Sequence, residues 1–264
     1  MQQASARRLH NAFCALVYIY LLAPIVVVVG ASFNAGNFLA FPPKGLSLRW
    51  FGVFLQNQVF IDAIVRSLWL AALATVLSVL IGTSAALYYV RHAKRGKETI
   101  RLLVLLPLVL PEVLTAMALL FFFYVIGIGT KFGIALLVGH ILITLPFVFL
   151  NVVSALDGFD PNWELAARSL GAGRWKVFRR VTLPLIKPGV INGSMFAFII
   201  SFDTFGISLL LKDVGSATLP LQLFDYLRFN FTPEAAAVST MSIVMTLIVV
   251  VATEKLVGLK SQRF

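Results

Sequence analysis

Six long runs of apolar residues, at approximately 12–33, 62–90, 101–125, 132–155, 189–211 and 235–257, leave this chain few ways to fold. Each is long enough to supply the roughly 20 residues that a helix needs to cross about 30 Å of hydrocarbon. A soluble domain of 264 residues with 59% hydrophobic and only 12% charged side chains could not hide so much apolar surface. Backbone groups in lipid must find their hydrogen bonds within the chain, which selects helices for runs of this length. The expectation is an all-α polytopic membrane protein with six transmembrane helices. A tail at 1–11 and a tail at 258–264 flank a transmembrane domain at 12–257. Arg7 and Arg8 precede the first run, and Gly30, Ala31 and Ser32 follow, as in a cleaved signal. Its apolar core exceeds the ~7–15 residues of a signal peptide, so it reads as a retained anchor.

The cations set the orientation. Sixteen of the 22 Lys and Arg fall in the N-terminal tail, the 91–101 loop, the 156–188 loop and the end of the chain from Lys255. The others, Lys44, Arg49, Arg66, Lys131, Lys212 and Arg228, lie near the opposite face. Because Lys and Arg accumulate on the cytoplasmic side, both termini are expected there. Glu98, Asp157, Asp160, Glu164 and Glu254 offset the cations on that side, which still carries the whole net charge of +11. Orientation therefore accounts for the basicity, and no nucleic-acid partner is expected. Cys14 is the single cysteine, which excludes a disulfide framework or a Cys-based metal site within the chain.

In the second run Ala74, Ser78, Gly82 and Ala86 recur every four residues, a spacing that lets helix backbones approach closely in lipid. Pro107 and Pro111 fall one turn apart in the third run, and Pro24 and Pro146 interrupt the first and fourth. Kinks for packing and kinks for gating both fit these breaks. Outside the membrane, Ser47 reads as the N-cap of a short helix whose Trp50, Phe51 and Phe54 would lie in the outer interface. Thr232-Pro233-Glu234 reads as N-cap, first-turn proline and first-turn acid, and starts the sixth span. The external loops are too short to form a capturing domain, so solute capture is expected of another protein.

The stretch 160–184, D-P-N-W-E-L-A-A-R-S-L-G-A-G-R-W-K-V-F-R-R-V-T-L-P, is the longest polar and basic segment. Asp160 with Pro161 starts a helix, Glu164 sits favourably in its first turn, and Gly171 suits a left-handed stop. A second short helix over 174–181 would align Trp175, Phe178 and Val181, and Pro184 and Pro188 would end it before the fifth span. Such a helix–turn–helix between two spans is built to be gripped by a soluble partner. A loop that merely obeyed the charge rule would need neither cap, corner nor aromatic stripe.

The run A-A-R-S-L-G-A at 166–172, with L-P at 183–184, resembles the cytoplasmic EAA loop of ABC importer permeases, the binding-protein-dependent (MetI-like) family. That motif reads roughly E-A-A-x-x-x-G-x9-I-x-L-P. Ala166, Ala167, Gly171, Leu183 and Pro184 match it, while Leu165 occupies the position of its glutamate. Glu164 stands one residue earlier, turned by about 100° around a helix. S-F-N at 32–34, F-P-P-K-G-L-S-L-R-W-F at 41–51, L-P-L-V-L-P-E at 106–112, S-F-D-T-F at 201–205 and T-L-P-L-Q-L-F-D-Y-L-R-F at 218–229 extend the resemblance. In order and spacing they are similar to the smaller permease of spermidine/putrescine-type importers.

The resemblance implies a type I ABC importer transmembrane domain in a bacterial inner membrane. Its loop would form a coupling helix seated in a groove of an ATPase subunit, through Glu164, Ala166, Ala167, Leu170, Gly171, Ala172, Trp175, Leu183 and Pro184. The chain contains no G-x-x-x-x-G-K-[ST] phosphate loop, so it is expected to be no enzyme and to bind no cofactor itself. ATP-Mg would sit on two cytoplasmic ATPase subunits. A second homologous permease across a pseudo-twofold axis, an extracytoplasmic solute-binding protein and the lipid bilayer complete the implied partners. The implied solute is a polyamine such as spermidine or putrescine, with amino-acid-like, opine or phosphonate solutes as the alternative.

Two acids fall inside apolar runs. Glu112 lies about eleven residues into the third, roughly 16 Å deep, and Asp203 about fourteen residues into the fifth, roughly 21 Å from the inner end. Intramembrane acids face a cavity or a partner. A cationic solute would use them as acceptors, with Phe202 or Phe205 offering a ring face. Alternatively Glu112 bonds backbone freed by Pro111, and Asp203 pairs with a neighbouring subunit. His10 and His92 sit in basic cytoplasmic segments; His140, in the fourth run, reads as a histidine bonding a carbonyl more than as a proton relay. Glu112, His140 and Asp203 show no hydrolase or metal-ligand spacing, against a membrane enzyme. No internal repeat supports an ion-coupled secondary transporter.

Overall fold

The computed structural model describes residues 2–93, 95–158 and 160–257; the expected 258–264 tail and Lys94 of the 91–101 loop lie outside them. Among the described residues the chain is helical, with one isolated bridge between Asn34 and Leu46. The helices are α1 (Gln2–Ser32), α2 (Arg49–Gln56), α3 (Gln58–Arg91), α4 (Lys97–Val109), α5 (Glu112–Val125) and α6 (Ile134–Asp157). They continue as α7 (Asn162–Ser169), α8 (Arg174–Val177), α9 (Leu183–Asp203), α10 (Gly206–Leu211), α11 (Leu219–Leu227) and α12 (Pro233–Val257). Among the described residues five helical stretches are long and apolar enough to cross a membrane, and the bent α4–α5 pair brings the number up to six. The chain divides into two compact units, Met1–Ile61 with Leu223–Met245, and Asp62–Gln222 with Thr246–Phe264.

In the first unit α1 carries Pro24 without breaking and exposes Leu16, Tyr18, Ile19 and Tyr20. Asn34 organises the loop that follows. Its side chain donates to Phe38 O at 2.8 Å and accepts from Lys44 N at 3.0 Å. Ser47 is not the N-cap of α2: Leu48 holds that place without a side-chain bond, and Ser47 Oγ accepts from Arg49 N at 3.1 Å from one residue earlier. The aromatic face of α2 is turned inward. Trp50 and Phe54 are buried, Trp50 Nε1 donates to Gly36 O at 3.1 Å, and Phe54, Phe60 and Tyr226 form an edge-to-face chain. Edge-to-face ring pairs of this kind add about 0.5–1.5 kcal/mol each beyond the area they bury. Helix α12 begins at Pro233, as the sequence requires. Glu234 is buried and accepts from Asn57 Nδ2 and Tyr226 OH, each at 2.8 Å, and Thr232 completes the network through Tyr226.

In the second unit the small-residue stripe of α3 lies on α6. Ala74, Ser78 and Ala86 are buried, and a Cβ at Gly82 would stand 3.0 Å from Val148 Cβ. Ser78 Oγ meets Thr144 Oγ1 at 2.7 Å, and Thr144 donates to His140 O at 2.8 Å. Helix α9 approaches α6 through a glycine pair four residues apart. A Cβ at Gly189 would stand 2.5 Å from Asn151 O, and one at Gly193 would stand 2.8 Å from Val148 Cα. Tyr89, Val148, Phe149, Val152, Leu156 and Ile186 fill the space between these helices.

Three helical paths differ from the expectation. The third run is not one helix: α4 and α5 meet at 105°. Leu110 is extended (ψ 140°), as a residue before proline must be, and Pro111 (ψ 132°) opens α5, whereas Pro107 stays inside α4. Glu112 is therefore the first residue of a new helix, not a mid-span residue of a straight one. The fifth run, expected over 189–211, breaks at Thr204 (ψ 126°) between α9 and α10. Pro184 and Pro188 do not end the second short helix, since Arg174–Asp203 is one helical path. A wide turn over Phe178–Thr182, in which Leu183 N–H reaches Phe178 O, accommodates Pro184 in the first turn of α9.

Candidate functional site

The stretch from Asp160 to Pro184 folds as a capped corner. Asp160 Oδ1 accepts from Asn162 N at 2.9 Å, and Pro161 precedes α7. At the other end Gly171 takes φ +79°, where a side chain would be strained. Gly171 N donates to Arg168 O at 2.9 Å, and Ala172 N to Ala167 O at 3.1 Å. This pair of bonds closes the last turn of α7 and turns the chain toward α8. Ala167 and Ala172 thus serve the corner itself, and Ala166, at the surface, leaves the face of α7 narrow.

The side chains divide into two sets. Leu165, Leu170 and Trp175 stand out from the surface, with 56%, 88% and 71% of their area exposed. Trp175 stacks on Phe178 at 5.6 Å between ring centroids, so part of the expected stripe forms, with half-buried Val181 beyond it. Leu183 and Pro184 are also exposed, at the base of α9. Glu164 belongs to the other set and is only 8% exposed. Its Oε1 is paired with Arg91 Nη2, from the last residue of α3, and accepts from Thr182 Oγ1 at 2.5 Å. Arg91 Nη2 also reaches Thr182 Oγ1 at 3.2 Å. Beside this cluster opens a pocket of about 600 Å³ lined by Arg91, His92, Leu156, Glu164, Arg168 and Arg174. Arg91 and Thr182 have no local signal in the sequence. Arg91 is one cation among many at the inner face, and Thr182 is an unassigned position of the motif.

The two acids of the apolar runs come together at the helix breaks. Glu112 Oε1 accepts from Thr204 Oγ1 at 2.6 Å and from Ile207 N at 2.9 Å. It satisfies backbone freed by the break in the fifth run, not by Pro111. Gly206 allows the approach, since a Cβ there would stand 3.1 Å from Glu112 Cδ. Asp203 ends α9 with its side chain exposed. Phe202 is buried and stacks on Phe198, and Phe205 is half-buried. His140 is fully buried and its ring bonds the backbone of Ser201, while Nδ1 also meets Ser201 Oγ at 2.8 Å and Nε2 meets Ser208 Oγ at 3.3 Å. It bridges the two sides of the break between α9 and α10. The sequence shows these serines and Thr204 only as small polar residues in an apolar run, a weak sign that they serve a broken helix.

Residues 78–259, which hold the coupling stretch and both acids, match the model of the family described as binding-protein-dependent transport system inner membrane component. This chain belongs to that family. It is therefore an inner-membrane, multi-pass permease and not an enzyme. It is 34% identical to the spermidine/putrescine transport system permease protein PotC of Haemophilus influenzae, over 93% of this chain and 95% of that protein. It is 33% identical to the putrescine transport system permease protein PotI of Escherichia coli strain K12, over 86% of this chain and 82% of that one. Among solved structures, a bacterial ABC transporter that imports the acidic polysaccharide alginate contains a similar chain, with a TM-score of 0.75. There 18% of residues are identical, and 97% of each chain is covered. That likeness shows the permease fold. The matched residues include the corner at 160–184 and both helix breaks.

Proposed function

We propose that this permease is one half of the membrane path of an ATP-driven polyamine importer, working with a second homologous permease, two cytoplasmic ATPase subunits and an extracytoplasmic binding protein. The observation that carries the polyamine reading is the 34% identity to a spermidine/putrescine permease over 93% of the chain. The exposed carboxylate of Asp203 at the end of α9 supports it, because a polyamine is a chain of cations and needs acceptors along its path. Glu112 holds the break, leaving Asp203 as the acid open to a solute; Phe205 is the nearer aromatic candidate, with Phe202 in the core. In this reading the bent α4–α5 pair makes the sixth crossing and both termini face the cytoplasm. Leu165, Leu170 and Trp175 enter the ATPase groove, on a corner set by Gly171. ATP-Mg is bound and hydrolysed on the ATPase subunits.

The test is uptake of radiolabelled spermidine by proteoliposomes holding the full complex. Asp203→Asn should lower the rate about tenfold or more while the complex stays assembled. Unchanged kinetics would remove Asp203 from the path. Uptake of an amino acid, opine or phosphonate in place of spermidine would overturn the polyamine assignment.

A further inference from the structure

Glu164 is held inside the chain, while the position next to it, where the motif has its glutamate, presents an apolar side chain to the surface. We infer that Arg91, Glu164 and Thr182 form a strut that holds the coupling helix stiff against two spans, and that Glu164 is a positioning residue acting from within the chain. The inference rests on the importer function proposed above.

The need for a strut follows from how α7 is attached. It leaves through Gly171, at φ +79°, and then Gly173, both of which place no Cβ against a neighbour. Covalent connection through such a corner transmits a push poorly, because glycine backbone yields to small rotations. The space beside α7 is a pocket of about 600 Å³, so packing on that side does not brace it either. The rigid contact is polar. Glu164 lies in the first turn of α7, Arg91 at the end of α3, and Thr182 in the wide turn that feeds α9. One carboxylate oxygen, Oε1, takes both bonds, and Arg91 and Thr182 also bond each other, so the three elements are closed into a ring. A poorly solvated carboxylate keeps such partners tightly, since losing one leaves a charge without compensation. Movement of α7 by an ATPase subunit is thereby delivered to α3 and α9 together.

The experiment compares Arg91→Glu, Glu164→Arg and the double exchange in the full complex, reading spermidine transported per ATP hydrolysed and ATPase subunit retained on purification. Each single exchange should lower transport per ATP about fivefold or more with the ATPase subunit retained, and the double exchange should recover most of it. Glu164→Gln and Thr182→Val, which keep the side-chain shape, should give a smaller loss in the same direction. Unchanged coupling in both of these milder variants overturns the strut. So does a double exchange no better than the worse single. Loss of the ATPase subunit with Glu164→Arg but not with Arg91→Glu would also overturn it, by placing Glu164 at the ATPase surface. Failure of the unaltered complex to transport spermidine or hold an ATPase subunit is a failure of the importer reading proposed above, visible without any variant, and takes the strut with it.

Discussion

At the scale of single residues, Glu112 and His140 each bond partners across a helix break of this permease. Glu112 is the clearest case. Its Oε1 serves both the Thr204 hydroxyl and the Ile207 backbone N–H, and Gly206 leaves room for the carboxylate. Removing the carboxylate leaves a donor at the start of α10 without an acceptor where water is scarce, which costs about 1–3 kcal/mol. Glu112→Ala should therefore lower the thermal unfolding midpoint in detergent. Glu112→Gln, which keeps one acceptor oxygen, should lower it less. Midpoints equal to that of the unaltered protein in both variants would show that neither bond matters to stability. The sequence reveals that an acid stands in an apolar run, because that is a matter of composition. Its partners are 92 and 95 residues away, and no local pattern connects them.

At the scale of elements, the coupling corner depends on a single backbone conformation. Gly171 at φ +79° lets Gly171 N and Ala172 N bond back onto α7. A β-branched residue there is strained by about 1–2 kcal/mol, and relief of that strain would re-aim α8 and its exposed Trp175. Gly171→Val should weaken retention of the ATPase subunit in a pull-down of the tagged permease, while Gly52→Val on α2, where a side chain meets open space, should not. The corner is legible in the sequence, since a capping Asp, a first-turn Glu and a terminal Gly are signals within a few residues of one another. The path beyond it is not. Pro184 and Pro188 read as a stop, yet the wide turn at Phe178–Thr182 carries the helix through. Whether a proline ends a helix depends on turns that precede it and on packing around it.

At the scale of the whole molecule, the distribution of charge and the order of the spans set the expected orientation in the membrane. Sixteen of the 22 cations fall at the segments assigned to the cytoplasm, and the coupling stretch is among them. A reporter that fluoresces only in the cytoplasm should be bright when fused to either end of the chain, and a periplasm-dependent phosphatase fused there should be inactive. The reverse pattern at one end only would mean an odd number of crossings, with the α4–α5 pair entering and leaving by one face. The helix bend of 105° makes this the decisive test of the sixth crossing.

The sequence by itself determined the solvent, the helical class, the small-residue stripe of α3, the Gly171 corner and the start of α12 at Pro233. All of these arise from hydrophobicity, spacing and capping, which act over one or a few turns. Only the tertiary structure decided that the third and fifth runs break, that α2 buries its rings, that His140 spans a break between two serines, and that Glu164 faces Arg91. Such outcomes join residues far apart in the chain: Arg91 and Glu164 are separated by 73 positions. Their geometry follows from how helices pack, and helix packing in lipid is set by close fit between surfaces that no single segment contains.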